Sequence, residues 1–152
     1  MNTIVLRGRP IVGGCVEGEA LVTHQAISGW GGVETASGTI IESGHELRGQ
    51  SFKGKVLVFS GAKGSSGWSG VFHTARLAGA APKAMLFTTM TSKVALGAVV
   101  TRVPAITDFD HDPLPIIEPD DWVRVNGDEG IVEVVKKEGR VSIHALDQTD
   151  DV

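Results

Sequence analysis

The residues able to do chemistry gather in one short stretch, Ser60-Gly61-Ala62-Lys63-Gly64-Ser65-Ser66-Gly67-Trp68-Ser69-Gly70, directly after the apolar run Val56-Leu57-Val58-Phe59. Hydroxyls at Ser65, Ser66 and Ser69 and the ammonium of Lys63 stand among glycines that let a backbone turn tightly and approach a ligand. A loop running from a strand's carboxyl end into a helix collects unpaired N–H groups and a partial positive charge, so it suits an anionic ligand. Lys63 suits the same anion. The serines would serve equally well as caps of the helix that follows, and spacing alone leaves both readings open. Two other chemistries fail on spacing. A phosphate-binding P-loop needs Lys directly before Ser or Thr after its second Gly, whereas Lys63 precedes Gly64. A nucleophile elbow needs G-x-S-x-G, and none of Ser65, Ser66 and Ser69 has glycine at both flanking offsets.

Other polar groups are less organised. His24, His45, His73, His111 and His144 are scattered without metal-ligand spacing, and His45-Glu46-Leu47-Arg48 lacks the second His of a zincin motif. Asp108, Asp110, His111 and Asp112 cluster after the apolar Pro104-Ala105-Ile106. A ligand site and a solvated turn ending at Pro113 both fit them. Trp30, between Gly29 and Gly31-Gly32, belongs to a loop with no periodicity. It either covers a ligand or partner or plugs the edge of the core.

The elements that must position the serine loop are legible. Val56–Phe59 reads as a strand covered on both faces. Trp68, Val71, Phe72, Ala75 and Ala78 follow helical spacing, with Gly79 as a stop, although Leu77 falls on the opposite side. The strand Ala84-Met85-Leu86-Phe87, a helix from Ser92 to about Val100 and the strand Pro104–Ile106 complete a βαβαβ middle. Before it, Glu17–Thr23 and Gly38–Glu42 read as strands. After it, Trp122–Val125 and Ile131–Val135 flank the hairpin signal Asn126-Gly127. The sequence therefore predicts an α/β, swivelling β/β/α-type domain: a small parallel sheet with helical crossovers, and a second β layer or partial barrel from the chain ends. All 152 residues form one domain, with a core over about 5–136 and a C-terminal extension over 137–152 that ends in a mobile tail.

Composition sets the limits. The chain is 41% hydrophobic and 21% charged with a formal charge of −4. That suits a soluble globular protein and supplies no basic face for nucleic acid. Cys15 is the single cysteine, too few for an internal disulfide or a metal centre of its own. No apolar run is long enough for a membrane span and no secretory leader is visible, so a cytoplasmic protein is expected.

The order and spacing of several segments resemble the small, swivelling subunit of the aconitase X family. The residues are Gly13-Gly14 with Glu17-Gly18-Glu19-Ala20-Leu21-Val22, Trp30-Gly31-Gly32-Val33, Thr39-Ile40-Ile41 with His45, Gly54-Lys55-Val56-Leu57-Val58, Gly64-Ser65-Ser66 and Ala81-Pro82-Lys83-Ala84. The resemblance runs from Arg7 to about Val135. It implies a hydro-lyase subunit, inactive without a large subunit that holds an iron–sulfur cluster and most of the pocket for a small hydroxy acid. The family's general base, a serine at the start of this loop, matches Ser65. The family's Arg before Gly-Ser is Lys63 here. On this resemblance Ser65 is the catalytic candidate, Lys63, Gly64, Ser66, Trp30 and Gly31 are substrate-binding candidates, and no metal ligand is expected in this chain.

Family substrates include cis-3-hydroxy-L-proline and 5-phosphomevalonate. The first is favoured, because the acidic chain and the lost Arg leave little positive charge for a phosphate. Two readings of other classes stand beside this one: a phosphoryl-carrying swivelling domain using His24 or His73, and a non-catalytic interaction module.

Overall fold

Ile4 and Leu6 are buried while Thr3, Val5 and Arg7 face outward, so a period of two makes Thr3–Arg7 a strand, β1, with one covered face. The structure, a computed structural model, describes residues 2–65 and 67–136. After β1 come β2 (Arg9–Val12), β3 (Cys15–Val22), β4 (Ile27–Ser28), β5 (Val33–Glu34), β6 (Thr39–Ile40), β7 (Val56–Phe59) and β8 (Ala62–Lys63). The helix α1 (Trp68–Leu77), β9 (Ala84–Phe87), α2 (Ser92–Thr101), β10 (Ala105–Thr107), β11 (Trp122–Asn126) and β12 (Ile131–Val135) follow. Residues 137–152, including the expected tail, lie outside the described residues.

The main sheet has eight strands in the order β1-β12-β11-β3-β7-β9-β10-β2. The four middle strands, β3, β7, β9 and β10, run parallel. Antiparallel partners flank them on both sides. β3 is shared: Cys15–Glu19 pair with β11, and Ala20–Val22 pair with β7. Only Gly8 separates β1 from β2, yet these strands occupy opposite ends of the order, so the sheet curls back on itself into a nearly closed barrel. At that seam the Gly8 N–H donates to the Gly130 carbonyl at 2.8 Å, and a Cβ on Gly8 would stand 2.6 Å from the Thr107 carbonyl oxygen. No side chain fits there.

Alternation along β7 feeds two cores. Val56 and Val58 point into the barrel with Leu6, Leu86, Ile106, Val125 and Val132. Leu57 and Phe59 face the helices, packing with Trp68, Phe72, Phe87, Val94 and Ala98. This is why Val56–Phe59 is an unbroken apolar run. α1 ends as its sequence predicts. Gly79 takes φ 75°, its N–H reaches the Arg76 carbonyl, and the Ala80 N–H reaches that of Ala75, the paired bonds of a Schellman stop. α2 begins at Thr91, whose hydroxyl accepts the Val94 N–H at 3.4 Å.

The expected α/β layout and β-rich ends are present. The sequence predicts only the middle strands as the parallel sheet, whereas β3 joins it as a fourth. The connection from β3 to β7 holds the short pieces β4, β5 and β6 rather than a helix, so no helical period marks this crossover.

Candidate functional site

The chain does not pass straight from β7 into α1. Ala62–Lys63 first forms β8, a two-residue parallel ladder with Ile27–Ser28. Gly64 then turns at φ 98°, a conformation that favours glycine, and α1 begins at Trp68. Trp68 fixes this entry. It is fully buried, its indole N–H donates to the Ile27 carbonyl at 2.8 Å, and its ring stacks on Phe72 at 4.3 Å.

Ser65 lies between the ladder and the helix and is exposed. Its hydroxyl oxygen accepts the Gly67 N–H at 3.4 Å, a long contact, and its carbonyl accepts the Trp68 N–H at 3.3 Å. The N-cap position of α1 is Gly67, which has no side chain to bond there, so the serine cap that the sequence allows is not formed by Ser65. Ser66 lies outside the described residues.

Lys63 is half exposed, with its ammonium 2.6 Å from Glu42 Oε2. The other carboxylate oxygen of Glu42 accepts the Ser28 N–H at 2.9 Å. Burial pushes the Glu42 pKa up, but hydrogen bonds from Lys63 and Ser28 and the charge of Lys63 outweigh it, and the net direction is down. Lys93, in the first turn of α2, donates from its ammonium to the Gly64 carbonyl. The Trp30 ring leans on the helix entry: a Cβ on Gly67 would meet its Nε1 at 2.2 Å, while the residue remains 67% exposed. Trp30 therefore does not plug the core, a role that falls to Trp68. Gly31, beside it, turns at φ 77° in open space.

The structure thus brings Lys63, Gly64, Ser65 and Trp30 together, with Gly31 adjoining. Sequence reasoning missed Glu42 and Lys93. Lys93 had a signal, being the lone charged residue in the apolar stretch Ser-Lys-Val-Ala-Leu-Gly-Ala-Val-Val-Thr. Glu42 had none beyond following the apolar Ile40-Ile41.

The other candidates have structural employment. Asp108 pairs with Arg9 at 2.6 Å, Asp110 accepts the Arg7 N–H at 3.0 Å, and Asp112 accepts the Leu114 N–H at 3.0 Å. His111 lies 3.5 Å from Asp110. His45 is buried, taking the Leu47 N–H on Nδ1 and donating from Nε2 to the Ala26 carbonyl. His24 and His73 are exposed and neither belongs to the serine loop. Among the described residues no three His, Cys, Asp or Glu side chains group to hold a metal ion, and no helix is long and apolar enough to cross a membrane. Cys15 is exposed, 4.0 Å from the Asp128 carboxylate.

Comparison with known proteins gives consistent results. The family model of the aconitase X swivel domain matches residues 5–134. The phosphomevalonate dehydratase small subunit of Methanosarcina acetivorans is 40% identical over 139 residues, covering 91% of this chain and 96% of that protein. The protein of the same name from Thermococcus onnurineus is 40% identical over 129 residues, covering 85% and 97%. The crystal structure of Thermococcus kodakaraensis aconitase X in its holo-form superposes with a TM-score of 0.82 at 35% identity, over 88% of this chain and 99% of that one. With the swivel-type fold, the serine loop and these matches in agreement, the chain belongs to the aconitase X swivel-domain family.

Proposed function

We propose that this chain is the small subunit of a phosphomevalonate dehydratase, a two-chain hydro-lyase in which a large subunit completes the pocket. It rests above all on the near full-length identity of 40% to proteins named phosphomevalonate dehydratase small subunit. The sequence-based preference for cis-3-hydroxy-L-proline gives way to this reading. That preference leaned on a shortage of positive charge at the loop, and Lys93 adds a cation beside Gly64 that the sequence argument did not count.

Ser65 is the proposed general base, taking a C–H proton as the substrate's hydroxyl departs. A serine hydroxyl is a poor base in water, so its alkoxide needs nearby positive charge and a dry pocket. Lys63 and Lys93 contribute the charge on this chain, the exposed Trp30 is suited to covering the substrate, and the partner excludes water by closing over the loop. Gly64 and Gly31 let the backbone come close, and Ser66 follows Ser65 in the same loop. The iron–sulfur cluster is proposed to reside in the large subunit, since the described residues of this chain offer no ligand set that fits one.

The test is reconstitution with the large subunit and assay on both candidate substrates. Water loss from 5-phosphomevalonate supports the proposal. Turnover of cis-3-hydroxy-L-proline alone overturns it.

A further inference from the structure

Three segments far apart in the chain meet at one carboxylate. Glu42 accepts the Ser28 N–H on Oε1 and pairs with Lys63 on Oε2, and its side chain is only 15% exposed. Ser28 leads into the loop that carries Trp30, and Lys63 leads into Gly64 and Ser65. The ladder between these two segments is just two residues long, Ile27–Ser28 against Ala62–Lys63, too short to set their spacing firmly by itself.

Glu42 is well placed to set it, because the turn that follows it is anchored independently of the site. His45 bonds the Ala26 carbonyl, the Glu46 carboxylate accepts both the Thr23 hydroxyl and the His24 N–H, and the Glu46 N–H donates to the Gln25 side chain. Lys63 is half exposed and its side chain is long, so without a partner it would sample many rotamers. A charge-assisted bond at 2.6 Å to an anchored carboxylate removes that freedom.

We infer that Glu42 is a positioning residue for the reaction at Ser65: it holds the Lys63 ammonium and the Trp30 loop in register with the serine. The inference rests on the dehydratase reading given above. It goes beyond it by assigning a role to a side chain that need not touch the substrate.

The test is a mutant cycle in the reconstituted two-chain complex, using whichever hydroxy acid the wild-type complex dehydrates. Glu42→Gln keeps an oxygen for the Ser28 N–H but removes the charge that holds Lys63. It should lower kcat on the order of 10²-fold, the cost of a small misplacement at a reacting centre. Lys63→Met should do about the same. The double variant should be no worse than the poorer single one, because both remove one arrangement. Glu42→Asp, which keeps the charge, should recover part of the loss. Near-normal kcat in Glu42→Gln overturns the inference, and so do single losses that multiply in the double variant, which would mark Glu42 as separate structural support.

Hydrogen exchange on the full chain gives a readout that does not depend on activity. Glu42→Gln should speed exchange at the amides of Lys63, Gly64, Gly67 and Trp68 and leave those of β7 unchanged. Unchanged exchange in the loop overturns the inference even if the complex dehydrates none of the compounds tried. A wrong substrate, by contrast, defeats only the assignment to phosphomevalonate.

Discussion

The Trp68 indole N–H donates to the Ile27 carbonyl at 2.8 Å, joining the first residue of α1 to the first residue of β4. That bond ties the end of the serine loop to the segment leading to Trp30. Trp68→Phe removes this bond between buried groups, which costs about 0.5–1.5 kcal/mol. Urea unfolding should show this loss, and a variant with wild-type stability would mean the bond holds nothing.

Gly97 in α2 packs directly against the Trp68 ring of α1, for a Cβ there would stand 2.2 Å from Trp68 Cζ3. Overfilling this contact in Gly97→Ala should cost about 1–3 kcal/mol, against the usual helical preference for alanine. A Cβ on Gly70 in α1 would meet open space. Gly70→Ala should therefore stabilise by up to about 1 kcal/mol. Thermal melts of the pair should move in opposite directions.

Acid should loosen the site before it unfolds the barrel. Glu46 is held below the ordinary glutamate range, chiefly by the Thr23 hydroxyl, with burial opposing and the His24 backbone amide assisting. Glu42 is also lowered, its hydrogen bonds overcoming the effect of burial. A carboxylate with a depressed folded pKa stabilises the fold above its unfolded pKa and loses that contribution as pH falls through the folded value. The stability gap between wild type and Glu46→Gln should therefore persist at neutral pH and shrink below about pH 4.5. Denaturant midpoints across that range check it, and a gap that widens on acidification would contradict the sign.

Lys93 has only the Gly64 carbonyl as a hydrogen-bond partner among the described residues, whereas Lys63 is held in an ion pair by Glu42. On the phosphomevalonate reading, Lys93→Met should raise KM on the order of 10-fold, the worth of one charge-assisted contact, with a smaller change in kcat. Lys93→Arg should keep most of the affinity. Steady-state kinetics on the reconstituted pair decide it, and an unchanged KM would remove Lys93 from the phosphate's surroundings.

The features legible in the sequence were those that repeat or punctuate. The apolar run of β7, the helical stripe from Trp68 to Ala75 and the stop at Gly79 each follow from local geometry, and each appears at its expected place. The serine loop was legible as well, because glycines and hydroxyls at a strand end are a local signal. What stayed hidden depends on irregular backbone. Glu42 reaches Lys63 only because the segment after β6 folds back on Ala26 and Thr23, and nothing periodic records that path. Lys93 reaches Gly64 across 29 residues, through the packing of α2 beside the loop. The fourth parallel strand, β3, was missed for a similar reason, its crossover lacking a helix.

Ser65 carries the central claim, and Ser65→Ala in the reconstituted complex tests it most directly. The residue is exposed and the bond its hydroxyl accepts, from the Gly67 N–H, is 3.4 Å long, so removing it should leave the thermal melt within about 0.5 kcal/mol of wild type. Loss of a positioned base should instead lower turnover on the order of 10²–10⁴-fold. The account predicts that pairing: a near-normal melt and association with the large subunit, with dehydration all but abolished. Near-normal turnover in Ser65→Ala, or a loss of rate fully matched by a loss of folded protein, would contradict it.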